Sequence, residues 1–554
     1  MVHRNISFSD FDYVVVGSGS AGAIIARRLA EDPHRRVLLL EAGSTDNKLF
    51  IKMPLGVGEI HNKRLFDWGY SSEPQKNLNG RSLHQPRGKV LGGSSSINGM
   101  IFNRGNPLDY ERWQQEGAHG WSYADVLPYF KKLESYSGQS SPYRGDTGLL
   151  SAQKGKCENP LFGAFIRAGQ QAGYPVTEDV NGFQQEGFGP YDATIQGGYR
   201  CSASFAYLKN PPANLVIETG ATTDKVMVEN GRAVGVIYRH KGQLKQVRTQ
   251  NEVILCAGAV GSPKILLQSG IGPAKDLNKL GIEVVKDLPA VGANLQDHLE
   301  IQFDFACTQP ITLYNQAKFH NMIRVGVQWL WNQTGHCAFN HLEAGAFIRS
   351  RPGVRHPDIQ YHFMPLCLTK PNSFDMTEHG FRVHVGPLRS QSKGFIKLRT
   401  TDPDDSPIID PQHMSCEEDW QEMRACFTLT REIFSQKAFT PYMGREIWPG
   451  SHVKTEDDFD DYIRDRSVSA HHLCGTCRMG TDEKSVVDPE CRVIGIDGLR
   501  VVDASIIPSM TSGNLHAPVS MMAEKAADHI RGFGLLNPEP LPFYEASDWQ
   551  TNQR

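Results

Sequence analysis

The sequence predicts an α/β fold joined to a second, α+β domain. Two stretches each combine a short apolar strand, a glycine turn and a helix, namely "FDYVVVGSGSAGAIIARRLA" from Phe11 and "NEVILCAGAVGSPKILLQSG" from Asn251. Such β-branched apolar runs are typical of strands buried in a parallel sheet. "KVMVENGRAVGVIY" predicts a hairpin that turns at Asn230-Gly231. The proline-containing stretch from about 306 to 460 lacks the strand–glycine–helix pattern, so we assign it to the second domain.

Composition places the chain among multidomain globular proteins. It has 554 residues, 39% hydrophobic and 21% charged, and a formal net charge of -3, which argues against nucleic-acid binding. No apolar run reaches the roughly 18 residues that a membrane-spanning helix needs. The first ten residues, "MVHRNISFSD", contain no apolar core of a secretory signal. The 11 scattered cysteines therefore predict reduced thiols in a cytosol-facing compartment.

The first glycine turn predicts a dinucleotide site. Gly17 allows the tight turn, Gly19 lets the backbone approach a pyrophosphate, and Gly22 permits close packing of helix on strand. The helix N-terminus offers free N–H groups to the phosphates. Glu41 ends the next strand, "RRVLLLEAG", where it can accept hydrogen bonds from ribose hydroxyls. Because Glu41 would repel a 2′-phosphate, the pattern favours FAD or NAD over NADP.

Two further stretches extend this site. "PRGKVLGGSSSINGMIFNRGNPLDYERW" from Pro86 is a second glycine-rich loop, whose backbone N–H groups can contact phosphate or a flat polar ligand. Near the C-terminus, a strand ends at Asp503 and "PVSMMAEKAADHIRG" predicts a helix with Pro518 as its first residue and Gly532 just beyond its end. His516 immediately precedes this helix, so it can project beside the positive end of the helix dipole.

These motifs resemble the glucose–methanol–choline (GMC) oxidoreductase family of FAD enzymes, and in particular its bacterial choline-oxidising branch. The similarity extends over nearly the whole chain and includes "VVGSGSAG", "RGKVLGGSSSINGM", "VGANLQDHLE", "GTCRMG" and "LRVVDASIIP". The resemblance implies FAD rather than NAD, a Rossmann-type FAD domain, and a substrate domain with a largely antiparallel sheet over the flavin. The expected boundaries are 1–155, 210–305 and 465–540 for the FAD domain, 156–209 and 306–464 for the substrate domain, and 541–554 for a polar tail.

The resemblance also implies which residues contact the cofactor. The expected FAD-binding residues are Gly17, Gly19, Ser20, Gly22, Glu41, Ala42, Gly92, Gly93, Ser94, Asn98, Gly99, Met100, Ile101, Val226, Ala257, Asp503, Ala504, Ala517 and Pro518. Some family members bind FAD covalently through a histidine at the position of Ile97. Isoleucine cannot form that bond, so we expect non-covalent FAD.

Oxidation of an alcohol needs a base for the hydroxyl proton and an acceptor for the hydride, here flavin N5. The motif "HHLCGTCRMG" implies that His472 is the base, while His471 is expected to be a packed core residue. The second position matches His516, which would hydrogen-bond the developing alkoxide. Many choline-oxidising members carry asparagine there, so the histidine leaves uncharged alcohols open as substrates.

The leading substrate is choline, oxidised to betaine aldehyde. "NHLEAGAFIRS" resembles the stretch where relatives place a glutamate against the trimethylammonium group, which implies this role for Glu343. The alternatives are an uncharged aliphatic, aromatic or polyether alcohol, and a flavin-containing lyase without net redox. His362, in "QYHFMP", is expected on a strand near the site, and the Cys474–Cys477 pair is expected to be reduced thiols without metal.

The resemblance further implies how the cofactor is reoxidised. The expected electron acceptor is a quinone or an artificial acceptor. The expected location is the cytoplasm, or the cytoplasmic face of a membrane to which the protein attaches peripherally.

Overall fold

The computed structural model describes residues 11–368 and 376–554, so the expectation about a secretory signal concerns residues outside it. Among the described residues, no helix is both long and apolar enough to cross a bilayer. The helices, labelled in chain order, are α1 Gly22–Leu29, α2 Leu49–Lys52, α3 Val57–Asn62, α4 Pro107–Gln115, α5 Tyr123–Leu133, α6 Pro160–Gln171, α7 Ala203–Tyr207, α8 Gly258–Gln268, α9 Ala274–Lys279, α10 Phe319–Asn332, α11 Glu417–Phe434, α12 Glu456–Arg466 and α13 His516–Arg531.

A seven-stranded sheet carries the glycine turn, and it has the order β10-β2-β1-β13-β12-β11 with β24 paired to β13. Strands β10, β2, β1, β13 and β24 run parallel, which confirms the Rossmann-type expectation. Its strands, again in chain order, are β1 Phe11–Val16, β2 Val37–Glu41, β10 Leu215–Thr219, β11 Ala221–Glu229, β12 Arg232–His240, β13 Gln243–Leu255 and β24 Leu499–Val501.

The predicted hairpin joins β11 to β12. Glu229 pairs with Arg232, and the two turn residues between them, Asn230 and Gly231, have φ of +49° and +77°. Two successive positive φ values are the geometry that an Asn-Gly turn accepts most readily, which confirms the prediction. The long strand β13 then pairs with β12 along its first half and with β1 along its second half, so the hairpin extends from the parallel sheet.

A second seven-stranded sheet has the order β22-β16-β19-β18-β17-β6, with β23 paired to β16, and all its pairings are antiparallel. This sheet confirms the antiparallel expectation. Strand β16 alternates between faces, because Ile301, Phe303 and Phe305 enter an apolar core that also includes residues of α6 and α11. The strands are β6 Gly187–Pro190, β16 Leu299–Cys307, β17 Ala344–Ile348, β18 Ile359–Met364, β19 Gly380–Pro387, β22 Met443–Trp448 and β23 Val468–Ser469.

The remaining strands form small sheets. Four of them make the order β3-β7-β5-β4, and the others pair as β8-β9, β14-β15 and β20-β21. Their bounds are β3 Ile101–Phe102, β4 Glu134–Tyr136, β5 Leu150–Lys154, β7 Asp192–Ala193, β8 Ile195–Gln196, β9 Tyr199–Arg200, β14 Ile271–Gly272, β15 Lys286–Asp287, β20 Phe395–Lys397 and β21 Ile408–Asp410.

Two details bear on the expected domain layout. Strand β16 lies in the second sheet, although the expected FAD domain extends to residue 305. The segment 541–554, expected as a polar tail, hydrogen-bonds through its backbone to the body of the protein. The N–H of Tyr544 donates to the carbonyl of Phe183 at 2.8 Å, and Arg349 donates to the carbonyl of Asn552 at 2.7 Å. The exact domain boundaries stay a prediction.

Candidate active site

A cavity of about 1080 Å³ opens between the glycine turn after β1 and the antiparallel sheet. Its wall includes Gly17 and Gly19 on one side and Glu300, His362 and His384 on the other. The cavity slightly exceeds the roughly 300–1,000 Å³ of ordinary small-molecule sites. The space therefore suits a large cofactor with a small substrate beside it.

The glycine turn has the geometry of a dinucleotide cradle. Gly17 has φ of +93°, and a Cβ on Gly22 would lie 1.8 Å from the Gly17 carbonyl oxygen, so neither position accepts a side chain. A Cβ on Gly19 would meet only the Cα of Gly93, at 3.9 Å, so this backbone borders open cavity. Glu41 accepts hydrogen bonds from the Ser18 N–H at 3.1 Å and the Ser18 hydroxyl at 2.6 Å. These contacts hold the acid at the end of β2, within the cavity wall.

Most of the expected FAD-binding residues line this cavity. They are Gly17, Gly19, Ser20, Glu41, Ala42, Gly93, Ser94, Asn98, Gly99, Met100, Ile101, Ala257, Asp503 and Ala504. Ile97, the position relevant to covalent attachment, lines it as well. The chain therefore offers a continuous cradle into which FAD fits.

Five expected contacts do not reach the cavity wall. An added Cβ would meet the Gly17 carbonyl oxygen at Gly22 and the Ser96 and Ser204 hydroxyls at Gly92, and Ala517 and Pro518 are buried inside the first turn of α13. Val226 is also absent from the cavity wall, and its N–H donates to the Ser269 hydroxyl at 2.8 Å. Strand β11 reaches the cavity earlier, at Ala221, Thr222 and Thr223.

The structure places His516 at the glycine turn, whereas Asn514 is the residue that contacts His472. His516 is the first residue of α13, and its Nδ1 lies 2.8 Å from the Ser20 hydroxyl in the glycine turn. Its Nε2 is buried with no hydrogen-bond partner among the described residues. Burial, together with the charge of Arg200, lowers the pKa of His516 to about 4. A neutral imidazole with an unpaired nitrogen at a helix N-terminus fits a phosphate oxygen of the cofactor.

Asn514 takes the place that the sequence assigned to His516. Its Nδ2 lies 3.2 Å from Nε2 of His472. Its Oδ1 accepts from the amides of Asn103 at 2.8 Å and Gln360 at 3.2 Å. Because two amide donors occupy Oδ1, the N–H₂ group of Asn514 is directed at the histidine.

His298 sets the tautomer of His472. Its Nε2 lies 2.9 Å from the carbonyl of Leu388, which can only accept, so this nitrogen carries the proton. Burial lowers the pKa of His298 to about 4, so the ring is neutral and its Nδ1 is an acceptor. That Nδ1 lies 2.9 Å from Nδ1 of His472, which must therefore donate. The lone pair of His472 is consequently on Nε2, beside Asn514.

His472 is neutral over the physiological range. Burial, the largest cause, holds its pKa well below the ordinary value. Its backbone N–H donates to Asp297 at 2.9 Å, which fixes the loop that carries it. An uncharged imidazole with its lone pair turned to the cavity is suited to remove a proton.

Among the carboxylates that line the cavity, Glu300 lies on strand β16 of the antiparallel sheet, and the sequence analysis missed it. His384 lies 2.9 Å from one of its oxygens and His362 lies 3.3 Å from the other. The two histidines are direct cross-strand partners on β18 and β19. Burial alone would raise the pKa of Glu300, but the hydrogen bonds from these histidines oppose it, and the pKa lies well below the ordinary value. The carboxylate is therefore ionised.

Glu343 does not face the cavity, so its expected role against a cation is wrong. Its Oε2 accepts from the backbone N–H groups of Lys156 at 3.0 Å and Cys157 at 2.9 Å.

The sequence did contain a signal for Glu300. Polar residues alternate with apolar ones along β16, as Glu300, Gln302 and Asp304, although the whole strand is buried. Buried polar residues at period two indicate one face turned to a polar site.

The other predicted positions are placed as follows. His362 lies on β18, at the cavity. His471 is in the cavity wall with φ of +65°, and its ring stacks on that of His61 with centroids 5.8 Å apart. Cys474 and Cys477 are buried free thiols. In the described ranges, no group of three or more metal-ligating side chains is found.

The pattern that defines GMC oxidoreductases matches residues 11–300 in its N-terminal part and residues 390–523 in its C-terminal part. Similar sequences include an oxygen-dependent choline dehydrogenase of Brucella ovis, which is 50% identical over 97% of this chain and 99% of the relative. Human mitochondrial choline dehydrogenase is 49% identical over 97% of this chain and 93% of its own.

Solved structures of other proteins share this fold. Pyridoxine 4-oxidase from Mesorbium loti superposes with a TM-score of 0.85 at 30% identity, covering 95% of this chain and 100% of that one. Formate oxidase superposes with a TM-score of 0.89 at 26% identity, covering 95% and 98%.

Proposed function

Because the chain belongs to the GMC oxidoreductase family of FAD-dependent enzymes acting on CH–OH groups, we propose that its substrate is choline, which it oxidises to betaine aldehyde. The observation that carries the proposal is the cavity wall, which presents an ionised carboxylate, Glu300, together with a neutral base, His472. Choline needs both groups, because it joins a permanent cation to a primary alcohol. When bound, FAD supplies the hydride acceptor, N5 of its ring.

Proton removal is assigned to His472 and alkoxide stabilisation to Asn514. Nε2 of His472 accepts the hydroxyl proton, because His298 holds the other ring nitrogen protonated. The imidazolium that forms keeps its Nδ1–H bond to His298. The Asn514 amide donates to the oxygen as negative charge develops on it, in a direction already set by Asn103 and Gln360.

Substrate positioning is assigned to Glu300. A trimethylammonium group has no N–H to donate, so only charge and apolar contact can recognise it. For charges about 4 Å apart at an effective dielectric of about 20, the attraction is on the order of 4 kcal/mol. This energy favours choline over an uncharged alcohol of the same shape. Uncharged alcohols were the alternative because the sequence put His516, a histidine, beside the base. Asn514 is the residue beside His472, so that argument for uncharged alcohols no longer applies.

Cofactor retention is assigned to the cradle without a covalent bond. Ile97 lines the cavity with a side chain that has no reactive atom. Glu41 would accept hydrogen bonds from the ribose hydroxyls, and Nε2 of His516, which has no partner among the described residues, would contact a pyrophosphate oxygen. For reoxidation we keep a quinone at the cytoplasmic face of a membrane as the proposed acceptor. Dioxygen, which appears in the name of the Brucella relative, would instead yield hydrogen peroxide.

Single variants test the catalytic assignment by anaerobic flavin reduction with choline. His472→Ala should lower the reduction rate roughly 10²–10⁴-fold while FAD stays bound, because the base is lost.

Asn514→Ala should lower the reduction rate about 10²-fold, because one donor to the alkoxide is lost. His516→Asn is the matched control, which should weaken FAD retention but leave reduction of the bound flavin within about threefold. Loss of reduction in His516→Asn with normal reduction in Asn514→Ala would contradict the assignment.

A further inference from the structure

Helix α10 exposes an apolar face. Phe319, Val327 and Trp331 are 75%, 58% and 87% exposed, and six of the fifteen large exposed hydrophobic residues of the described chain lie on this one helix. Those six are Phe319, Met322, Ile323, Val327, Leu330 and Trp331, which recur at helical spacing and therefore share one face. The opposite face is satisfied, because Val325 and Trp329 pack into a small core with Met53.

The charged residues in the stretch of sequence that contains α10 are all basic. Lys318 precedes the helix and Arg324 lies within it, whereas the sequence contains no aspartate or glutamate between Asp304 and Glu343. An apolar face with basic flanks and a terminal tryptophan is typical of helices that lie in the interface of an anionic bilayer. Two copies meeting face to face about a twofold axis would bring these basic residues together without acidic partners from the same segment. The charge pattern therefore favours lipid over self-association.

The same helix borders the mouth of the active-site cavity. Met322, Val325, Gly326 and Leu330 belong to the cavity wall, and Leu49 of α2 joins them there. Leu49 is itself half exposed. The apolar surface thus continues from the outside of α10 into the cavity.

We propose that α10 is a membrane-docking surface that lies in the headgroup region of an anionic bilayer. Phe319, Ile323, Val327 and Trp331 enter the boundary with the acyl chains, while Lys318 and Arg324 contact lipid phosphates. The helix has 14 residues, fewer than the roughly 20 that span a bilayer, so it lies in the interface. Docking turns the mouth of the cavity towards the lipid. This last step rests on the quinone acceptor of the proposed function: an apolar partner of that class, dissolved in the bilayer, then reaches the cavity along an apolar path.

The test uses the holoenzyme and vesicle flotation. Wild type should float with vesicles made of equal parts phosphatidylcholine and phosphatidylglycerol, and at least about tenfold less with phosphatidylcholine alone. The triple variant Phe319→Ser/Val327→Ser/Trp331→Ser should lose at least about tenfold in binding to the anionic vesicles. None of these three side chains lines the cavity, so turnover of dissolved alcohol with a soluble acceptor should stay within about twofold of wild type.

A matched control removes exposed apolar residues elsewhere. Leu244→Ser/Val285→Ser/Phe533→Ser changes three side chains that are also exposed but lie outside α10, and it should float like wild type. Circular dichroism and FAD content establish that all variants are folded. Quenching of tryptophan fluorescence by brominated lipids should occur in wild type and decrease in Trp331→Phe, which keeps an aromatic anchor.

Three results would overturn the proposal. Wild type could stay unbound with the anionic vesicles, or the triple variant could float as well as wild type. Sedimentation without lipid could also show a dimer that the triple variant dissociates, with no vesicle binding by either protein. This last result would assign α10 to self-association. Vesicle binding requires no alcohol, so a protein that does not bind vesicles can still oxidise choline. A protein that does not oxidise choline can likewise still bind vesicles through α10.

Discussion

Two glutamates show how the surroundings of a carboxylate decide its role. Glu343 accepts two backbone N–H groups and is turned from the cavity, so its charge is already satisfied. Glu300 lies in the cavity wall between two histidines and stays ionised. Only the second can act on a cation in the cavity, and this contrast leads to a direct test.

Glu300→Gln should raise the KM for choline about 10³-fold, because it removes about 4 kcal/mol of Coulomb attraction at an effective dielectric of about 20. The KM for the neutral tert-butyl isostere of choline should change by less than about threefold, since that molecule carries no charge. Steady-state kinetics with a soluble acceptor measure both values. Glu343→Gln is the control and should leave both unchanged. Equal losses for the two alcohols in Glu300→Gln would show that the residue only supports the fold.

The residues found from the sequence are those whose role depends on neighbours in the chain. Gly17, Gly19 and Glu41 belong to one continuous βαβ unit, and their positions follow from its geometry. Asn514 was missed because histidine is the more familiar catalytic residue and lies two positions further on. The choice between them depends on where α13 begins and which side chain meets His472, and both are tertiary facts.

At the scale of elements, two positions of the first glycine turn require glycine for different reasons. Gly22 has the Gly17 carbonyl oxygen against the position of its missing Cβ, so α1 approaches β1 only without a side chain there. Gly19 has open space at the same position. One glycine therefore serves packing, and the other leaves room for a ligand.

Gly22→Ala should lower the free energy of unfolding by about 3 kcal/mol, the upper part of the range for overpacking, because the collision is with backbone. Gly19→Ala should unfold like wild type when FAD is absent, yet bind FAD at least about tenfold more weakly, because the methyl group enters the cradle. Urea unfolding and FAD titration measure the two effects. Gly534→Ala, which adds a Cβ where nothing lies within 4 Å, should change neither. A Gly19→Ala protein with normal FAD affinity would contradict the position of the cradle.

Strands, hairpin and helices were predictable where their signals are local. The Asn230-Gly231 turn needs only its own two residues, and β1, α1 and β2 follow from a short apolar pattern. Helix α13 starts at His516 rather than at Pro518, because proline is tolerated throughout the first helical turn, where its N–H would lack a partner. The sheet to which β16 belongs was not predictable from its neighbours in the chain, since the preceding strands, β14 and β15, form a separate pair.

At the scale of the whole molecule, the active site exists only where the two sheets face each other. The Rossmann-type sheet contributes the cradle, and β16, β18 and β19 contribute the carboxylate and histidines. The composition after residue 540 indicates only a polar tail, and it gives no sign that Arg349 and Phe183 bind the backbone of this segment from distant parts of the chain. Contacts of that range leave no local signal in a sequence.

Anaerobic mixing of the purified holoenzyme with choline tests the central claim most directly. The visible absorbance of the bound flavin reports each reduction without any electron acceptor. Choline should bleach the flavin, and its half-saturating concentration should lie at least about tenfold below that of the tert-butyl isostere, because only choline is held by the charge of Glu300. A flavin that choline leaves oxidised, or that both alcohols reduce at the same concentrations, would contradict the account.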